Sequence, residues 1–180
     1  MEIEKTPIDG LLIIKPKVLE DERGCFYESW NKEVFSEKNL NWDFVQDNQS
    51  KSTKNVLRGL HYQISPFEQG KLVRTATGSV LDVVVDLRKN SKTFAEHFKI
   101  VLNEKDKKML WVPPGFAHGF LVLEDNTIFV YKCTKKYHKN SERAILWNDP
   151  QLNIDWEIKN PIISAKDQKA PLFSEVDNPF

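Results

Sequence analysis

A histidine and several basic side chains are concentrated between residues 56 and 74. Two runs carry them: Val56-Leu57-Arg58-Gly59-Leu60-His61-Tyr62-Gln63 and Gln69-Gly70-Lys71-Leu72-Val73-Arg74. Removing a proton from a carbon beside a carbonyl requires a base that titrates near neutral pH and a cation for the enolate oxygen. His61 and Lys71 supply these groups, and the arginines suit an anionic substrate, phosphate above all. A plainer interpretation stays open, in which His61 is a hydrogen-bonded strand residue and the cations are solvated.

Short strands are the elements predicted to position these residues. The two runs are interpreted as two strands joined by a loop that contains Pro66 and Gly70. Apolar side chains alternate with period two over residues 81–87 and 127–133, which places Tyr131 on the face expected to line a barrel interior. Further short strands are predicted at 11–14, 98–102, 108–112 and 119–123. This spacing favours an antiparallel barrel or sandwich over parallel α/β units.

The length of 180 residues fits one domain with a sizeable core. A helix is predicted near Asn31–Lys38, and a second short one in the tail stays open. Residues 148–180 contain four of the nine prolines and are predicted to wrap over the barrel rather than to form a separate domain. The prediction is a single all-β domain over residues 1–180.

Charge and composition exclude several classes of partner. Twenty-six basic residues balance 26 acidic ones, which argues against a general nucleic-acid or membrane surface. No hydrophobic signal region follows Met1, and no apolar run approaches the length needed to span a membrane. Cys25 and Cys133 give no sign of a disulfide framework, so a cytoplasmic location is expected.

Four more motifs accompany the basic runs. They are Asp21-Glu22-Arg23-Gly24-Cys25-Phe26-Tyr27-Glu28, Gln46-Asp47-Asn48-Gln49-Ser50, Pro113-Pro114-Gly115-Phe116-Ala117-His118-Gly119-Phe120 and Ser164-Ala165-Lys166-Asp167. The Pro-x-Gly-x-x-His turn alone is weak evidence, since many cupins contain it. In this order, however, the motifs together resemble the dTDP-4-dehydrorhamnose 3,5-epimerase family, a metal-free branch of the cupin-like jelly rolls. The resemblance covers nearly the whole chain, from Arg23 to Asp167.

The resemblance implies a fold, a reaction and catalytic roles. The expected fold is an all-β, cupin-like jelly-roll barrel with a few short peripheral helices. The expected reaction is epimerisation at C3 and C5 of dTDP-4-keto-6-deoxy-D-glucose to dTDP-4-keto-L-rhamnose, without a cofactor. His61 falls at the position of the family's base and Asp167 at that of the carboxylate that orients it. Tyr131 matches the proton donor on the opposite sugar face, and Lys71 the cation beside the C4 carbonyl.

The resemblance also implies a set of substrate-binding residues. Arg23 and Arg58 look like pyrophosphate ligands, which suits the bidentate geometry of arginine. The residues that match the nucleoside-binding set, with Tyr137 stacking on the thymine, are Phe26, Glu28, Gln46, Asp47, Asn48 and Tyr137. Those that match further substrate contacts are His118, Glu142 and Lys166. The alternative for Phe26 and Tyr137 is an ordinary packing role. The alternative for Asp167 is a solvated carboxylate in the C-terminal tail.

Metal chemistry is the natural rival for a cupin-like chain. The first cupin motif requires His-x-His, yet this sequence has His61-Tyr62-Gln63. His61 and His118 alone are a poor metal site, so no metal is expected. Two other carboxylates, Asp82 and Asp86, are predicted to be buried structural groups paired with arginine.

Other functions remain open from the sequence. One is epimerisation at C3 only, or of another nucleotide-linked 4-keto sugar. A more remote one is a non-catalytic cupin that binds a nucleotide sugar, against which the presence of an opposed acid and base argues. A 3,4-ketoisomerase is less favoured. The resemblance further implies a homodimer, in which the strand at Leu11–Ile14 completes the partner's sheet or else covers its own barrel.

Overall fold

A computed structural model describes all residues from 1 to 180, and strands dominate it. The strands are β1 (Glu2–Lys5), β2 (Leu12–Lys15), β3 (Leu19–Asp21), β4 (Gly24–Phe26), β5 (Gln46–Ser52), β6 (Val56–Gln63), β7 (Lys71–Thr77), β8 (Ser79–Asp86), β9 (His97–Asn103), β10 (Met109–Val112), β11 (Phe116–Val122), β12 (Thr127–Cys133), β13 (Glu142–Ala144) and β14 (Ile162–Ile163). The helices are α1 (Lys32–Ser36) and α2 (Ala165–Gln168), with 3₁₀ turns at Lys139–Ser141 and Phe173–Glu175. The predicted all-β class with short peripheral helices is confirmed.

Two sheets pack face to face. The first has the strand order β1-β2-β10-β7-β12-β5, and the second has the order β13-β6-β11-β8-β9. Neighbouring strands pair antiparallel throughout, except that β14 adds to β6 in parallel. The inner faces share a core to which β7 and β12 contribute Val73 and Phe129, and β8 and β11 contribute Val84 and Phe120. The core therefore lies between the sheets, as in a jelly roll.

The strand β8 is buried along its whole length because both of its faces are covered. Val80 and Val84 point into the core between the sheets. Leu81, Val83 and Val85 point the other way, into a second apolar cluster. This is the alternation predicted from the sequence, and burial on both sides explains why the strand is almost uniformly apolar.

The chain after residue 144 covers the outer face of the second sheet. Leu152, Ile154, Trp156 and Phe173 are buried there against the outward side chains of β8 and its neighbours. The Trp156 indole Nε1 donates to the Trp147 carbonyl oxygen at 2.7 Å, so the polar edge of this large ring is also satisfied.

A helical turn covers the outer face of the first sheet. The side chain of Asn31 accepts hydrogen bonds from the amides of Glu33 and Val34 and so begins α1. The helix buries Phe35 in a cluster with the stacked rings of Trp42 and Trp111, whose centroids are 3.7 Å apart. Neither helix of the structure is long and apolar enough to cross a membrane.

The N-terminal strands lie at the edge of the first sheet. The strand β2 pairs with β10 of the same chain, with Ile13 opposite Leu110. Exchange of this strand between two subunits stays a prediction. Beyond β2, the strands β3 and β4 form a separate two-stranded hairpin whose side chains are exposed.

Candidate active site

The loop after β6 places the two basic runs on opposite sides of a cleft. The strand β6 belongs to the second sheet and β7 to the first, so the loop of residues 64–70 crosses between the sheets. His61 and Lys71, ten positions apart in the chain, therefore line the same cleft from facing sheets. Two residues that are close in the sequence thus face each other across the cleft.

Two glycines bring β6 and β11 close together beside the cleft. A Cβ on Gly59 would lie 2.5 Å from the Gly119 Cα, and Gly59 has a φ of +136°. A side chain at either position would force these two strands apart. The close approach sets His61 opposite His118 in the strand register.

The main cavity has a volume of about 510 Å³ and opens between the sheets. Predicted site residues from five elements (β6, β7, β11, β12 and α2) meet in it. They are Arg58, His61, Lys71, His118, Tyr131, Lys166 and Asp167. The structure thus brings all four predicted catalytic residues into one cavity.

His61 and Asp167 form a close pair. The ring Nε2 lies 2.7 Å from the Asp167 Oδ1, and only 5% of the Asp167 side chain is exposed, against 31% of the imidazole. Burial disfavours the charged carboxylate, but hydrogen bonds from His61, the Gly59 amide and Ser164 outweigh it and keep the pKa of Asp167 below its usual value. An ionised carboxylate only accepts hydrogen bonds, so Nε2 carries a proton, and in the neutral imidazole Nδ1 is then the acceptor.

The position of Asp167 depends on a helix cap. The Ser164 Oγ accepts the Asp167 amide at 3.1 Å and begins α2. The strand β14, directly before it, pairs with β6 and so carries α2 to the His61 strand.

Lys71 and Tyr131 line the cavity from the first sheet. Burial of the ammonium lowers the pKa of Lys71, which the neighbouring Cys133, Asp82 and Glu142 partly oppose. Burial raises the pKa of the Tyr131 phenol, so it keeps its proton at neutral pH. The site therefore offers an imidazole on one side and a protonated phenol on the other, with an amine beside them.

A second histidine–carboxylate pair lies next to the first. The His118 Nε2 is 3.0 and 2.9 Å from the two Asp82 carboxylate oxygens, and both side chains are buried. The predicted pairing of Asp82 with an arginine is therefore wrong. The register of β8 and β11 sets His118 opposite Val84, so the imidazole lies on the same face of the sheet as Asp82 and diagonal to it. Asp86 does pair with Arg88, at 2.8 Å.

A second cavity of about 350 Å³ adjoins the first and shares His61, Lys71 and Tyr131 with it. The predicted nucleoside-binding residues that line it are Gln46, Asn48 and Tyr137, together with Glu142. The Gln46 Nε2 donates to the Asn48 Oδ1 at 2.9 Å, and the Tyr137 amide donates to the Gln46 Oε1 at 2.7 Å. These bonds fix both side-chain amides and join them to Tyr137.

Charged groups border the two cavities. Lys166 and Glu142 form an ion pair at 2.5 Å, and the Tyr137 hydroxyl donates to Glu142 at 3.0 Å. The exposed Arg58 donates to the Ser52 hydroxyl, at 3.2 Å from its Nη2. Arg58 is thus held at the edge of the main cavity with most of its guanidinium donors available.

Four residues predicted to contact substrate line neither of these cavities. Arg23 pairs with Asp21 on the exposed β3–β4 hairpin, where Phe26 is 66% exposed. Glu28 accepts a hydrogen bond from Asn31. The Asp47 carboxylate instead pairs with Lys132 at 2.7 Å. Asp47 lies between Gln46 and Asn48 on β5, and alternation turns its side chain to the outer face.

Sequence reasoning missed residues that line the main cavity. Ser50, Phe120 and Ile163 are among them, and the buried Ser50 hydroxyl has no hydrogen-bond partner. A signal for Ser50 existed, because it follows Gln46 and Asn48 at even spacing on one strand and therefore shares their face. No group of three or more His, Cys, Asp or Glu side chains is arranged to hold a metal ion.

Known proteins match this chain over nearly its full length. A sequence model of the dTDP-4-dehydrorhamnose 3,5-epimerase family matches residues 5–175. A dTDP-4-dehydrorhamnose 3,5-epimerase of Shigella flexneri is 52% identical over 178 residues, which cover 98% of both chains. A crystal structure of a dTDP-6-deoxy-D-glucose-3,5-epimerase from Legionella pneumophila, in complex with dTDP-4-keto-L-rhamnose, has a TM-score of 0.93 at 48% identity and covers 98% of this chain and 94% of that chain.

A relative with a narrower activity shares the fold as well. The crystal structure of a 3′-monoepimerase from Streptomyces bikiniensis, in complex with dTDP-quinovose, has a TM-score of 0.87 at 31% identity. It covers 94% of this chain and 86% of that chain. Identity to the two 3,5-epimerases is therefore higher than to the monoepimerase.

Proposed function

Because the chain belongs to the dTDP-4-dehydrorhamnose 3,5-epimerase family, we propose that it epimerises C3 and C5 of dTDP-4-keto-6-deoxy-D-glucose. The product is dTDP-4-keto-L-rhamnose. One observation supports the assignment above the others: His61 from one sheet and Tyr131 and Lys71 from the other line a single cavity. A base and an acid that approach a sugar ring from opposite sides are the requirement for inverting a carbon.

In this proposal His61 removes the proton from the reacting carbon. Both C3 and C5 are adjacent to the C4 carbonyl, so the electron pair left by each proton moves onto the carbonyl oxygen as an enolate. Asp167 holds Nε2 of the ring and stabilises the imidazolium that forms, through the contact of 2.7 Å. The proton is then on Nδ1, on the face of the sugar from which it left.

Lys71 and Tyr131 complete each inversion. The Lys71 ammonium stabilises the enolate oxygen at C4 within the cavity, where little water weakens the interaction. Tyr131 then gives its proton to the carbon from the opposite face, and the carbonyl re-forms. The raised pKa of the phenol keeps this donor protonated at neutral pH. Protons exchanged with solvent restore both groups, so no cofactor is needed.

The nucleotide supplies binding energy far from the reacting carbons. Tyr137, with 51% of its surface exposed, stacks on the thymine ring, and Gln46 and Asn48 contact the base edge or its sugar. Arg58 binds the pyrophosphate, and His118, Glu142 and Lys166 contact the remainder of the substrate. Because the nucleotide and the remainder of the substrate are both bound, the hexose stays between base and acid while each carbon reacts.

The proposal extends to assembly and location. Arg23, Phe26 and Glu28 lie on or directly after an exposed hairpin away from their own cavity, so they contact substrate only if the hairpin enters the cleft of a second subunit. We therefore include a homodimer of single-domain subunits in the proposal, together with a cytoplasmic location. Light scattering coupled to size exclusion tests the dimer, and a monomer at micromolar concentration contradicts it.

Turnover of the proposed substrate tests the activity. Incubation with dTDP-4-keto-6-deoxy-D-glucose, followed by NMR, is expected to show inversion at both C3 and C5. His61→Ala should abolish it, whereas His97→Ala on the edge strand β9 should not. Inversion at C3 alone favours the monoepimerase alternative, which the relative in Streptomyces bikiniensis represents. Binding of dTDP without any turnover favours the non-catalytic alternative.

A further inference from the structure

The side-chain amide of Gln63 joins two loops at the end of the His61 strand. These are the first loop, residues 64–70, and the second loop, residues 134–138. The Gln63 Nε2 donates to the Phe67 carbonyl at 2.6 Å and to the Lys136 carbonyl at 3.2 Å. Its Oε1 accepts the His138 amide at 2.7 Å. The residue is 5% exposed, and both polar atoms of its amide are engaged with backbone.

The bonds of Gln63 flank Tyr137 on both sides. Lys136 and His138 are its chain neighbours, and the Tyr137 amide itself donates to Gln46 at 2.7 Å. The backbone of three consecutive residues is thus held by two side-chain amides. The Tyr137 ring, in contrast, is 51% exposed and makes one polar contact, from its hydroxyl to Glu142.

A fixed backbone under an exposed aromatic ring is suited to stacking. An aromatic side chain on a mobile loop must be ordered when the ligand binds, and that ordering reduces affinity. Here the ordering is already present in the folded chain. Three other contacts join the loops. The Gln69 Nε2 donates to the Lys135 carbonyl at 2.8 Å, but this bond is exposed and does not hold the residues on either side of Tyr137. Gly70 and Thr134 exchange hydrogen bonds beside the strand ends, and the ring centroids of Phe67 and His138 stack 3.9 Å apart.

We propose that Gln63 is a positioning residue for nucleotide binding, which acts by holding Tyr137 in the orientation that accepts the base. This inference rests on the proposed function, in which Tyr137 stacks on the thymine. Gln63 takes no part in proton transfer, although it lies two residues from His61 on the same strand. Its loss should therefore weaken nucleotide binding and leave the chemical step unchanged.

The test compares Gln63→Met with the wild type and with Gln151→Met, which changes an exposed glutamine remote from both loops. Methionine keeps the length of the side chain and removes its hydrogen bonds. We expect the dissociation constant for dTDP, measured by calorimetry, and the KM for the 4-keto sugar to rise on the order of tenfold. The kcat should stay within about twofold of the wild type, and Gln151→Met should change neither.

A double variant separates positioning from a general structural role. If Gln63 acts through Tyr137, then Gln63→Met combined with Tyr137→Ala binds dTDP no more weakly than Tyr137→Ala alone. Three results each overturn the proposal: additive losses of dTDP affinity in the double variant, an unchanged dissociation constant in Gln63→Met, or a fall in kcat of Gln63→Met as large as the rise in its dissociation constant. Gln63→Asn, which keeps the amide but withdraws it by one methylene, replaces Gln63→Met if that variant does not fold.

Failure of the proposed function can be distinguished from failure of the Gln63 proposal. If the wild type binds dTDP but does not turn over the 4-keto sugar, the proposed reaction is wrong. The calorimetric comparison of Gln63→Met and the double variant still decides the role of Gln63 in that case, because it needs no turnover.

Discussion

Replacement of Asp167 by asparagine tests the pair that is proposed to hold the catalytic base. The substitution keeps the shape of the side chain and removes its charge. The new side chain would also offer an amide N–H to the imidazole, which disfavours the ring orientation and tautomer that leave Nδ1 as the acceptor. The structural basis is the contact of 2.7 Å between the His61 Nε2 and a carboxylate that is 5% exposed.

The expected loss of kcat follows from the free energy that a hydrogen bond to a charged group contributes. Such a bond contributes ~1.5–3 kcal/mol, and the 31% exposure of His61 allows water to replace part of it, which favours the lower half of that range. At ~1.4 kcal/mol for each factor of ten, kcat should fall about ten- to fortyfold. His61→Ala should cost at least as much again, because it removes the base itself.

Steady-state kinetics with dTDP-4-keto-6-deoxy-D-glucose measure this loss. The control is Asp149→Asn, because Asp149 is equally buried but accepts hydrogen bonds only from backbone amides of the C-terminal segment, such as those of Leu152 and Phe173. The control should lower the melting temperature and leave kcat nearly unchanged. A kcat for Asp167→Asn within about twofold of wild type, or no lower than that of the control, would refute the proposed role of this pair.

Three further predictions concern other parts of the molecule. Ser50→Ala removes an unpartnered hydroxyl from the main cavity. It should raise KM roughly three- to tenfold, at ~1 kcal/mol for one hydrogen bond, with no change in melting temperature. An unchanged KM excludes a contact between Ser50 and the substrate. Burial lowers the pKa of Lys71 from its ordinary value of 10.5, so kcat/KM should fall on the alkaline side at a pH below 10.5. A kcat/KM that stays constant up to that pH contradicts a role for the Lys71 cation. Burial disfavours charge on Asp86, but hydrogen bonds from Arg88, Ser91 and Thr93 outweigh it and lower its pKa from 3.8 to about 2. Its charge therefore stabilises the fold above pH 3.8, and this contribution disappears as the pH falls through about 2. Asp86→Asn should cost about 2 kcal/mol in urea unfolding at pH 7 and much less near pH 2; a cost independent of pH contradicts this account.

Local patterns in the sequence predict much of the fold. The alternation over residues 127–133 matches β12 at both ends, because an antiparallel strand with one face in the core must alternate. The helix predicted near Asn31–Lys38 likewise corresponds to α1. The same rule finds that Gln46, Asn48 and Ser50 share a face, which is why their side chains point into the cavities while that of Asp47 does not.

Contacts between distant parts of the chain are not predictable from such patterns. His61 and Asp167 are 106 residues apart and meet only because β14 pairs with β6. The partner of Asp82 depends on the register between β8 and β11, which no local rule supplies. For the β3–β4 hairpin, the motif around Arg23 predicts a ligand contact, whereas in the structure Arg23 pairs with Asp21 on the exposed hairpin.

Deuterium exchange in a Tyr131→Phe variant tests most directly whether base and acid act from opposite faces. In D2O, His61 can still remove the C3 proton, exchange it with solvent and return deuterium to the same face. The account therefore predicts that Tyr131→Phe incorporates deuterium at C3 of dTDP-4-keto-6-deoxy-D-glucose while inversion at that carbon is lost. Inversion at the wild-type rate, or loss of exchange together with inversion, would contradict it.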